Sequence, residues 1–495
     1  MKLFINNNTG LLNDYYFQTL SLLYFPGEKF PTGEDPSPNK AEYYLEKRGN
    51  GYYGKAVLYA GDYSACGEFS TEDYNFSVPV HDELNAQCAI GKAFLKAGEK
   101  LFGFSLPWGY ITGLRPVKRA RFYLDKGYDD DTVKSLFVND HNVSVQKTEL
   151  SIRTARNEIR MLESVKGKTA GLYISIPFCP TRCGYCSFVS YATPRLLKML
   201  PEYVDFLVRD IKDTARVLKE LGISLSAIYV GGGTPSILTP EQTRLVLGTV
   251  NESFDLSSLK EFTFEAGRPD TITKEKLIAA KECGATRVSI NPQSLNENVL
   301  KAIGRQHTTE QFFSAYEVAR QVGFDSINAD LIAGLPEDTF ESFSSGFEKV
   351  LSMGFENITL HTLSIKNAAA MRFEKENVYD PVGNLAISCV QYVYDRMIQS
   401  GMEPYYLYRQ KNTVGNAENT GYSIPGKENL YNVLMMEEHS SVFACGAGAI
   451  TKLVTPDEEI IDRIAHQKYP YEYLAEPKGI GEERIKKFYS QYFSE

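Results

Sequence analysis

The feature that most restricts the fold is an alternation of strand and helix patterns that begins near residue 170. Six short apolar runs, each typical of a buried strand, follow one another there: LYISIPF, AIYVGGG, EFTFEAG, RVSINPQS, SINADLIAG and NITLHTLS. Segments with helical periodicity lie between them, such as PEYVDFLVRDIKDTARVLKELG and TTEQFFSAYEVARQVG. Six strand–helix units in succession predict a parallel sheet with helices outside, as an open doubly wound sheet or an incomplete barrel.

The regions on either side of this core have different patterns. Residues 1–166 predict a small α+β domain with a helical connector, including a hairpin in AEYYLEKRGNGYYGKAVLYAGD. Residues 167–378 hold the six strand–helix units. Residues 379–495 predict a mixed extension that covers the barrel, with strands in GMEPYYLYRQKN and SVFACGAGAITKL and a helical end.

Charge and hydropathy narrow the function classes. The formal net charge of −9 argues against dispersed nucleic-acid binding. The start of the chain lacks the apolar run of a signal peptide, and no stretch of about 18 apolar residues predicts a membrane span. We therefore expect a cytoplasmic location, where clustered cysteines bind metal or react more often than they form disulfides.

Three of the eight cysteines, Cys179, Cys183 and Cys186, lie within SIPFCPTRCGYCSF, directly after the first predicted strand. A structural zinc site needs four ligands, but the next cysteine is Cys283 and the next histidine is His307. A [4Fe–4S] cluster takes one thiolate per iron, so three thiolates leave one iron open for another ligand. A buried trio without metal, and zinc completed by a distant ligand, remain as alternatives.

Polar residues follow the other predicted strands. GGGTPS ends the second strand and fits either a tight turn or a close approach of the backbone to a ligand. Glu265, Gln293 and Asp330 end the next three strands, and Arg305 lies in IGRQHT. Carboxyl ends of parallel strands meet at one edge, so these groups predict a ligand site there. Each also has a structural alternative, such as an ion pair between Glu265 and Arg268.

The spacing Cys-x3-Cys-x2-Cys, with the aromatic Tyr185 before the third cysteine, resembles the signature of the radical S-adenosylmethionine (SAM) superfamily. The resemblance implies a partial (β/α)6 TIM-like barrel whose first loop holds a [4Fe–4S] cluster. It also implies that the open iron chelates SAM, and that reduction splits the sulfonium to give a 5′-deoxyadenosyl radical that abstracts hydrogen.

The order of the motifs is similar to one branch of the superfamily, the oxygen-independent coproporphyrinogen III oxidases. PWGYITGLRP and FEAGRPDTIT resemble its coproporphyrinogen dehydrogenase subgroup. This resemblance implies oxidative decarboxylation of the propionates of coproporphyrinogen III to vinyl groups, giving protoporphyrinogen IX in anaerobic heme biosynthesis. It also implies a tetrapyrrole substrate and a reducing electron donor such as flavodoxin or ferredoxin. It assigns no catalytic residue.

The resemblance also implies a set of binding residues. The three cysteines would hold the cluster. The expected SAM contacts are Tyr173, Tyr185, Gly232, Gly233, Thr234, Glu265, Gln293, Arg305, Asp330, Leu363 and Ile450.

Two departures from the family pattern leave other functions open. Phe188 stands where the established oxidases have a further cysteine, as in the heme-chaperone branch, and the sixth strand has His361 without the usual Tyr-Ala-His. His361 fits a proton donor or propionate ligand, or a packed core residue, which we favour. Arg268 is our candidate donor to propionates. The alternatives are a heme-trafficking protein, and a methyltransferase or heme-opening enzyme that acts on a related macrocycle.

A basic stretch, RPVKRAR at residues 115–121, has two interpretations. It fits a solvated helix face or interdomain salt bridges, which is the usual role of such a run. It also fits a landing site for substrate carboxylates or for an acidic electron donor.

Overall fold

The computed structural model describes residues 1–31, 33, 37–364, 383–410, 413–477 and 479–493. The chain forms two compact units, one comprising Met1–Arg156 with Tyr408–Asn412 and the other Asn157–Leu407 with Thr413–Glu495. We call them unit 1 and unit 2. The three-part division made from the sequence stays a prediction, and its boundary at residues 378–379 lies outside the described residues.

Unit 1 contains the first four strands and the first helices. The bounds are β1 Lys2–Asn7, α1 Asp14–Ser21, β2 Lys40–Arg48, β3 Gly51–Ala60, β4 Tyr63–Ser70, α2 Asp82–Phe102, α3 Pro116–Asp125, α4 Asp130–Ser135 and α5 Val145–Glu163, the last of which continues into unit 2. The sheet has the order β1-β2-β3-β4. The predicted hairpin is confirmed as the antiparallel pair β2–β3, whereas β1, parallel to β2, was not predicted.

Glycines let the long helix α2 lie directly on the sheet. A Cβ atom added to Gly54 in β3 would lie 2.6 Å from the Ala89 carbonyl oxygen of α2. One added to Gly67 in β4 would overlap the Ala93 carbonyl oxygen. The facing helix residues are small and buried, so helix and sheet backbones touch with little side chain between them.

One residue of the basic stretch, Arg119 in α3, contacts a buried side chain of unit 1. The Arg119 Nη1 atom lies 3.1 Å from Nε2 of the buried His141. Burial and the Arg119 guanidinium hold the pKa of His141 well below its usual range, so the ring is neutral. Arg119 therefore interacts inside unit 1 rather than forming part of a purely solvated face.

Unit 2 contains the predicted alternating core. Its first elements are β5 Thr169–Ile176, α6 Pro194–Leu197, α7 Leu200–Glu220, β6 Ser224–Gly232, α8 Pro240–Ser253, β7 Glu261–Gly267, α9 Lys274–Glu282, β8 Arg287–Ile290, α10 Glu297–Ala302, α11 Thr309–Val322, β9 Ser326–Ala333, α12 Phe340–Ser352, β10 Asn357–Thr362 and α13 Asn384–Gln399. All six strands of this core, β5 to β10, were predicted from the sequence.

The C-terminal elements extend the same sheet. They are β11 Glu403–Arg409, β12 Glu418–Ser423, α14 Leu430–Glu437, β13 Val442–Cys445, β14 Ile450–Val454, β15 Ile461–Ala465, α15 Pro470–Tyr473 and α16 Glu482–Tyr492. The stretch SVFACGAGAITKL is β structure, as predicted. It forms two strands, β13 and β14, because Gly446 (φ 103°) and Gly448 (φ 72°) turn the chain between them.

The strand order identifies the architecture of the core. Over the described residues, the sheet has eleven strands in the order β11-β12-β10-β9-β8-β7-β6-β5-β13-β14-β15, and β5 to β10 are mutually parallel. Consecutive strands are neighbours throughout this run, so right-handed crossovers place the helices on one face. A doubly wound sheet reverses its strand order. The fold is therefore the predicted partial (β/α)6 TIM-like barrel rather than an open doubly wound sheet.

Among the described residues, no helix combines the length and the apolar character needed to cross a membrane.

We predict that Gly54→Ala destabilises unit 1, because the added methyl group must push α2 away from the sheet. The expected loss in free energy of unfolding is about 1–3 kcal/mol, measured by urea denaturation followed by circular dichroism. Gly113→Ala is the control, since no atom lies within 4 Å of a Cβ at this position. Equal stability of the two variants would contradict the close packing of α2.

Candidate active site

The three clustered cysteines lie on the loop that follows β5, and the rest of unit 2 holds this loop by its backbone. The Cys179 N–H donates to the Tyr191 carbonyl oxygen at 3.0 Å, which closes the loop on itself. The Gly184 N–H donates to the Ile303 carbonyl oxygen at 2.9 Å, which ties it to the end of α10. All three cysteines are free thiols.

The three thiols influence one another electrostatically. Burial raises the pKa of the Cys179 thiol, and the Cys186 and Cys183 sulfurs raise it further. A hydrogen bond from the Thr234 hydroxyl to the Cys179 sulfur, 3.3 Å long, acts in the opposite direction. Cys183 and Cys186 are half-buried. The loop thus presents one buried and two more accessible sulfurs.

The arrangement of the sulfurs bears on the kind of metal group that fits. Among the described residues, which include all three cysteines, no three His, Cys, Asp or Glu side chains converge on the position of a single metal ion. Zinc would need its sulfur ligands about 2.3 Å from one centre. Thiolates spread around a larger body, one for each of three irons, suit a [4Fe–4S] cluster. The three cysteines of the loop therefore fit such a cluster.

The glycine turn after β6 packs against the cysteine loop. The Gly233 N–H donates to the Ile176 carbonyl oxygen and the Thr234 N–H to the Phe178 carbonyl oxygen, both at 2.8 Å. A Cβ atom on Gly233 would lie 2.6 Å from the Phe178 carbonyl oxygen, and Gly232 has φ 114°. Only glycine fits these contacts, so the turn itself explains the glycines. Their contact with SAM stays a prediction.

Glu265 is a half-buried carboxyl group at the end of β7. Burial raises its pKa to about 8, and the Asp330 carboxylate contributes in the same direction. A hydrogen bond with Tyr229 and the charge of Arg305 lower it only in part. Glu265 is therefore protonated at neutral pH and can donate as well as accept a hydrogen bond.

One interpretation made from the sequence is wrong for Arg268, the ion pair with Glu265. Its guanidinium forms an ion pair with Asp270, with Nη2 2.9 Å from Oδ2, rather than with Glu265. The side chain is only 4% exposed. Its role as a donor to substrate propionates stays a prediction.

Gln293 and Asp330 are joined through the backbone. The Gln293 N–H donates to the Asp330 carbonyl oxygen at 2.9 Å, and Gln293 adopts the left-handed conformation with φ 67°. Its side-chain Oε1 is buried and has no hydrogen-bond partner within the described part of the chain. A buried unpaired acceptor is unfavourable. This atom therefore supports the prediction that Gln293 binds a ligand with a donor group.

Tyr185, Arg305 and Leu363 are brought together on one side of the cysteine loop. Arg305 is buried, donates from Nη2 to the Asn291 carbonyl oxygen at 2.9 Å and lies beside the Tyr185 hydroxyl. Its Nε has no partner among the described residues. Tyr185 also packs against an apolar cluster that contains Leu363 and Ile303. A polar donor and an apolar wall thus meet here, as a nucleoside-like ligand requires.

The remaining predicted contacts occupy two further positions. Tyr173 in β5 stacks with Tyr229 and Tyr431, at ring-centroid distances of 6.3 and 6.1 Å. Ile450 begins β14 with an exposed side chain. It follows the turn in which Gly448 packs against Val189 of the cysteine loop. Both positions border the edge at which β5 ends.

His361 is not the packed core residue that we favoured from the sequence. Its Nε2 atom lies 3.7 Å from the Asp330 Oδ2 atom, and its side chain is 27% exposed. It belongs with Asp330 to the polar edge of the barrel, so the proton-donor or propionate-ligand interpretation is the one that its position supports.

Sequence reasoning missed His307 and Asp270. His307 is buried, and burial together with the Arg305 charge lowers its pKa to about 3, so the ring is neutral. Asp270 is the partner of Arg268. A lone histidine and a helix-start aspartate carry no distinctive spacing, although IGRQHT and GRPD did mark both segments.

The comparisons with known proteins agree with this arrangement. The sequence profile described as "Radical SAM superfamily" matches residues 173–348. The chain is 36% identical, over 404 residues and 80% of each chain, to the oxygen-independent coproporphyrinogen-III oxidase-like protein HemZ of Bacillus subtilis (strain 168). It is 30% identical to the heme chaperone HemW of the same organism, over 60% of this chain and 77% of that one.

A solved structure is also similar. It is that of the coproporphyrinogen III oxidase HemN from Escherichia coli, a radical SAM enzyme, which shares 22% identity with this chain at a TM-score of 0.48. The similarity covers 68% of this chain and 81% of that one.

We predict that Cys183→Ala abolishes the broad iron–sulfur absorbance of the anaerobically reconstituted protein and its cleavage of SAM, because one iron loses its thiolate. Absorbance spectra and chromatography of 5′-deoxyadenosine measure both. Cys283→Ala, outside the loop, is the control and should retain both. A Cys183 variant with normal absorbance and cleavage would show that the cluster ligands are assigned wrongly.

We also predict a pH dependence of stability from Glu265. Its pKa is raised from 4.5 to about 8, so the folded protein binds a proton that the unfolded chain releases above about pH 4.5. Stability is therefore highest below pH 4.5 for this group and falls as pH rises through 8, by up to a few kcal/mol.

Glu265→Gln cannot ionise, so its free energy of unfolding should fall less than that of the wild type between pH 6 and pH 9 in urea denaturation. Glu252→Gln, at an exposed helix position, serves as the control and should follow the wild type. Parallel pH dependence in all three proteins would mean that Glu265 is ionised in the folded state.

Proposed function

The chain belongs to the radical SAM superfamily and, within it, to the oxygen-independent coproporphyrinogen-III oxidase-like proteins, and on this premise we propose that it oxidatively decarboxylates the propionates of coproporphyrinogen III. The product would be protoporphyrinogen IX, formed in anaerobic heme biosynthesis. The family uses a [4Fe–4S] cluster and SAM. The substrate and the decarboxylation are the proposal.

The observation that supports this proposal is the edge of the barrel at which the parallel strands have their carboxyl ends. The cysteine loop follows β5, and Glu265, Gln293 and Asp330 follow or end neighbouring parallel strands. Backbone contacts join these segments to one another, as between Gln293 and Asp330. Ligands of barrel folds bind at this edge.

The chemistry divides between the cofactors and the chain. When bound, the cluster and SAM supply one-electron chemistry that removes a hydrogen atom from an unactivated carbon. The chain holds the cluster through Cys179, Cys183 and Cys186, and the Thr234 hydroxyl fixes the Cys179 sulfur. Its further task is to orient the propionate carbon and exclude water.

We propose that the predicted SAM contacts act in two groups. Arg305, Tyr185 and Leu363 form the mixed polar and apolar wall beside the cysteine loop. Glu265 and Gln293 offer a protonated carboxyl and an unpaired amide oxygen, which suit hydroxyl and ammonium groups. Because these groups are buried or half-buried and packed in place, little side-chain entropy would be lost on binding.

On the substrate side we propose His361 as a contact to a propionate. It lies beside Asp330, which can orient the ring, and the side chain is partly exposed near the end of β10. Protonated His361 would neutralise a carboxylate, and loss of CO2 would remove that interaction from the product. Loss of a hydrogen atom to the chemistry of bound SAM, of one further electron to an external one-electron acceptor, and of CO2 would convert a propionate to a vinyl group.

A heme-trafficking role is the second candidate, and Phe188 is the observation that favours it. Phe188 lies two residues beyond Cys186, at the position where the established oxidases have a cysteine, and its side chain is 71% exposed. An exposed aromatic ring beside the cluster loop suits contact with a flat macrocycle but cannot act as a thiol.

The electron source and the location stay proposals. The cluster must be reduced, so we propose a low-potential donor of the flavodoxin or ferredoxin class. The cytoplasmic location expected from the sequence is likewise retained as a prediction.

We predict that the reconstituted protein, incubated anaerobically with coproporphyrinogen III, SAM and a reductant, releases CO2 and forms vinyl products detected by mass spectrometry. His361→Ala should slow this turnover by about 10- to 100-fold while leaving uncoupled SAM cleavage intact.

The outcomes separate the candidate functions. Tight heme binding without CO2 release would replace the proposal with heme trafficking. A methylated or ring-opened macrocycle would show that a different reaction occurs on a related substrate. Cys183→Ala is the matched inactive control, since it should give none of these products.

A further inference from the structure

A buried arginine outside the predicted SAM contacts holds the middle of the cysteine loop. Arg268 follows β7, and its Nη1 atom donates to both oxygens of Thr181, at 2.7 Å to Oγ1 and 3.1 Å to the carbonyl. Thr181 lies between Cys179 and Cys183 in the sequence. The opposite side of the guanidinium binds Asp270 through two hydrogen bonds of 3.0 and 2.9 Å.

The placement of this charge needs an explanation. A buried guanidinium is unfavourable unless it is paired and hydrogen-bonded. Asp270 supplies the countercharge, two residues along the chain, so local pairing alone would satisfy the charge. Arg268 nevertheless also directs Nη1 at Thr181, which lies in a loop without regular secondary structure. The pair therefore links the end of β7 to the cysteine loop.

The other contacts of the loop do not replace this one. Cys179 and Gly184 are each held by one backbone hydrogen bond, at the two sides of Thr181. Arg268 holds the segment between them by donating to the hydroxyl oxygen and the carbonyl oxygen of Thr181. Without it, the segment that separates Cys179 from Cys183 would lose its charged anchor.

We infer that Arg268 is a positioning residue for the cluster, which fixes the first half of the cysteine loop and, with Asp270, balances the charge beside it. The inference rests on the cluster of the superfamily and not on the proposed tetrapyrrole substrate. The neutral ring of His307 lies near the same pair and adds no charge to it. Asp270 and Arg305 are charged groups on the neighbouring segments, and Arg182 lies in the loop next to Thr181.

The inference predicts opposite shifts of the cluster midpoint potential, measured by redox titration with electron paramagnetic resonance. Arg268→Gln leaves the Asp270 charge unbalanced beside the cluster, which disfavours the more negative reduced form and lowers the potential. Asp270→Asn leaves the guanidinium unbalanced and raises the potential. If Arg268 and Asp270 only stabilised the fold, the two variants would not shift the potential in opposite directions.

The second readout is loss of iron to a chelator. Arg268→Gln should lose iron about 10-fold faster than the wild type, since removing a group that orients metal ligands weakens binding by about this factor or more. Arg268→Lys retains the charge but not the fork of donors, so it should keep the potential near that of the wild type while iron loss is still faster.

Arg287 offers a matched control. It is a similarly buried arginine of unit 2, paired with Glu261 at 3.6 Å and donating to the Lys427 carbonyl oxygen at 2.7 Å. It is the first residue of β8, so it lies at the amino ends of the parallel strands, whereas the cysteine loop follows a carboxyl end. Arg287→Gln should reduce thermal stability without changing the potential or the rate of iron loss.

Thr181→Val tests the contact if Arg268→Gln does not fold. It removes one hydrogen bond and leaves the Arg268–Asp270 pair in place, so iron loss should be faster at an unchanged potential. Iron loss at the wild-type rate in Thr181→Val, with an unchanged potential in Asp270→Asn, would overturn the inference. No readout uses a tetrapyrrole, so this inference and the proposed function fail separately.

Discussion

The parallel pairing of six consecutive strands is the constraint on which the site depends. Because β5 to β10 all run in the same direction, residues that are distant in sequence end at one edge of the sheet. The cysteine loop uses this edge as its support. Its thiols have no regular secondary structure to hold them, and they are fixed from the glycine turn after β6, from the end of β7 and from the end of α10.

Charge balance at this edge follows from the same geometry. Strand ends bring carboxyl groups and guanidinium groups close together in a region largely shielded from water. The charge of Arg268 is balanced by an ion pair with Asp270, whereas the raised pKa of Glu265 favours its uncharged, protonated form. Arg305 keeps an unpaired Nε and Gln293 an unpaired Oε1 within the described residues. The Arg268–Asp270 pair contacts the loop, and the unpaired groups are our proposed ligand contacts.

The sequence predicted the part of the fold that hydrophobic periodicity controls. Strands β5 to β10 are apolar runs, and they were found because both faces are buried. Strand β1, KLFINN, has alternating exposed and half-buried residues and no strong β pattern, so it was missed. The turn between β13 and β14 was missed because two glycines with positive φ reverse the chain.

In the candidate site, too, the sequence predicted the positions of residues along the chain but not the partners with which they interact. The positions of the cysteines, Glu265 and Asp330 at strand ends follow from chain order. The ion-pair partner of a buried charge does not follow from chain order. Arg268 has two carboxylates nearby in the sequence, those of Glu265 and Asp270, and only the backbone path after β7 decides between them. His361 was likewise ambiguous until its neighbour Asp330 was known.

Phe188 limits the chemistry that can take place beside the loop. A thiol at this position could exchange a hydrogen atom or an electron with a radical, but a phenyl ring has no such bond to offer. Its exposed ring instead adds apolar surface two residues from Cys186. His361, beside Asp330, and Glu265, whose pKa is raised by burial, are groups of this edge that could exchange a proton. On the proposed function, the cysteine loop would serve one-electron chemistry, and the carboxyl edge would bind ligands and exchange protons.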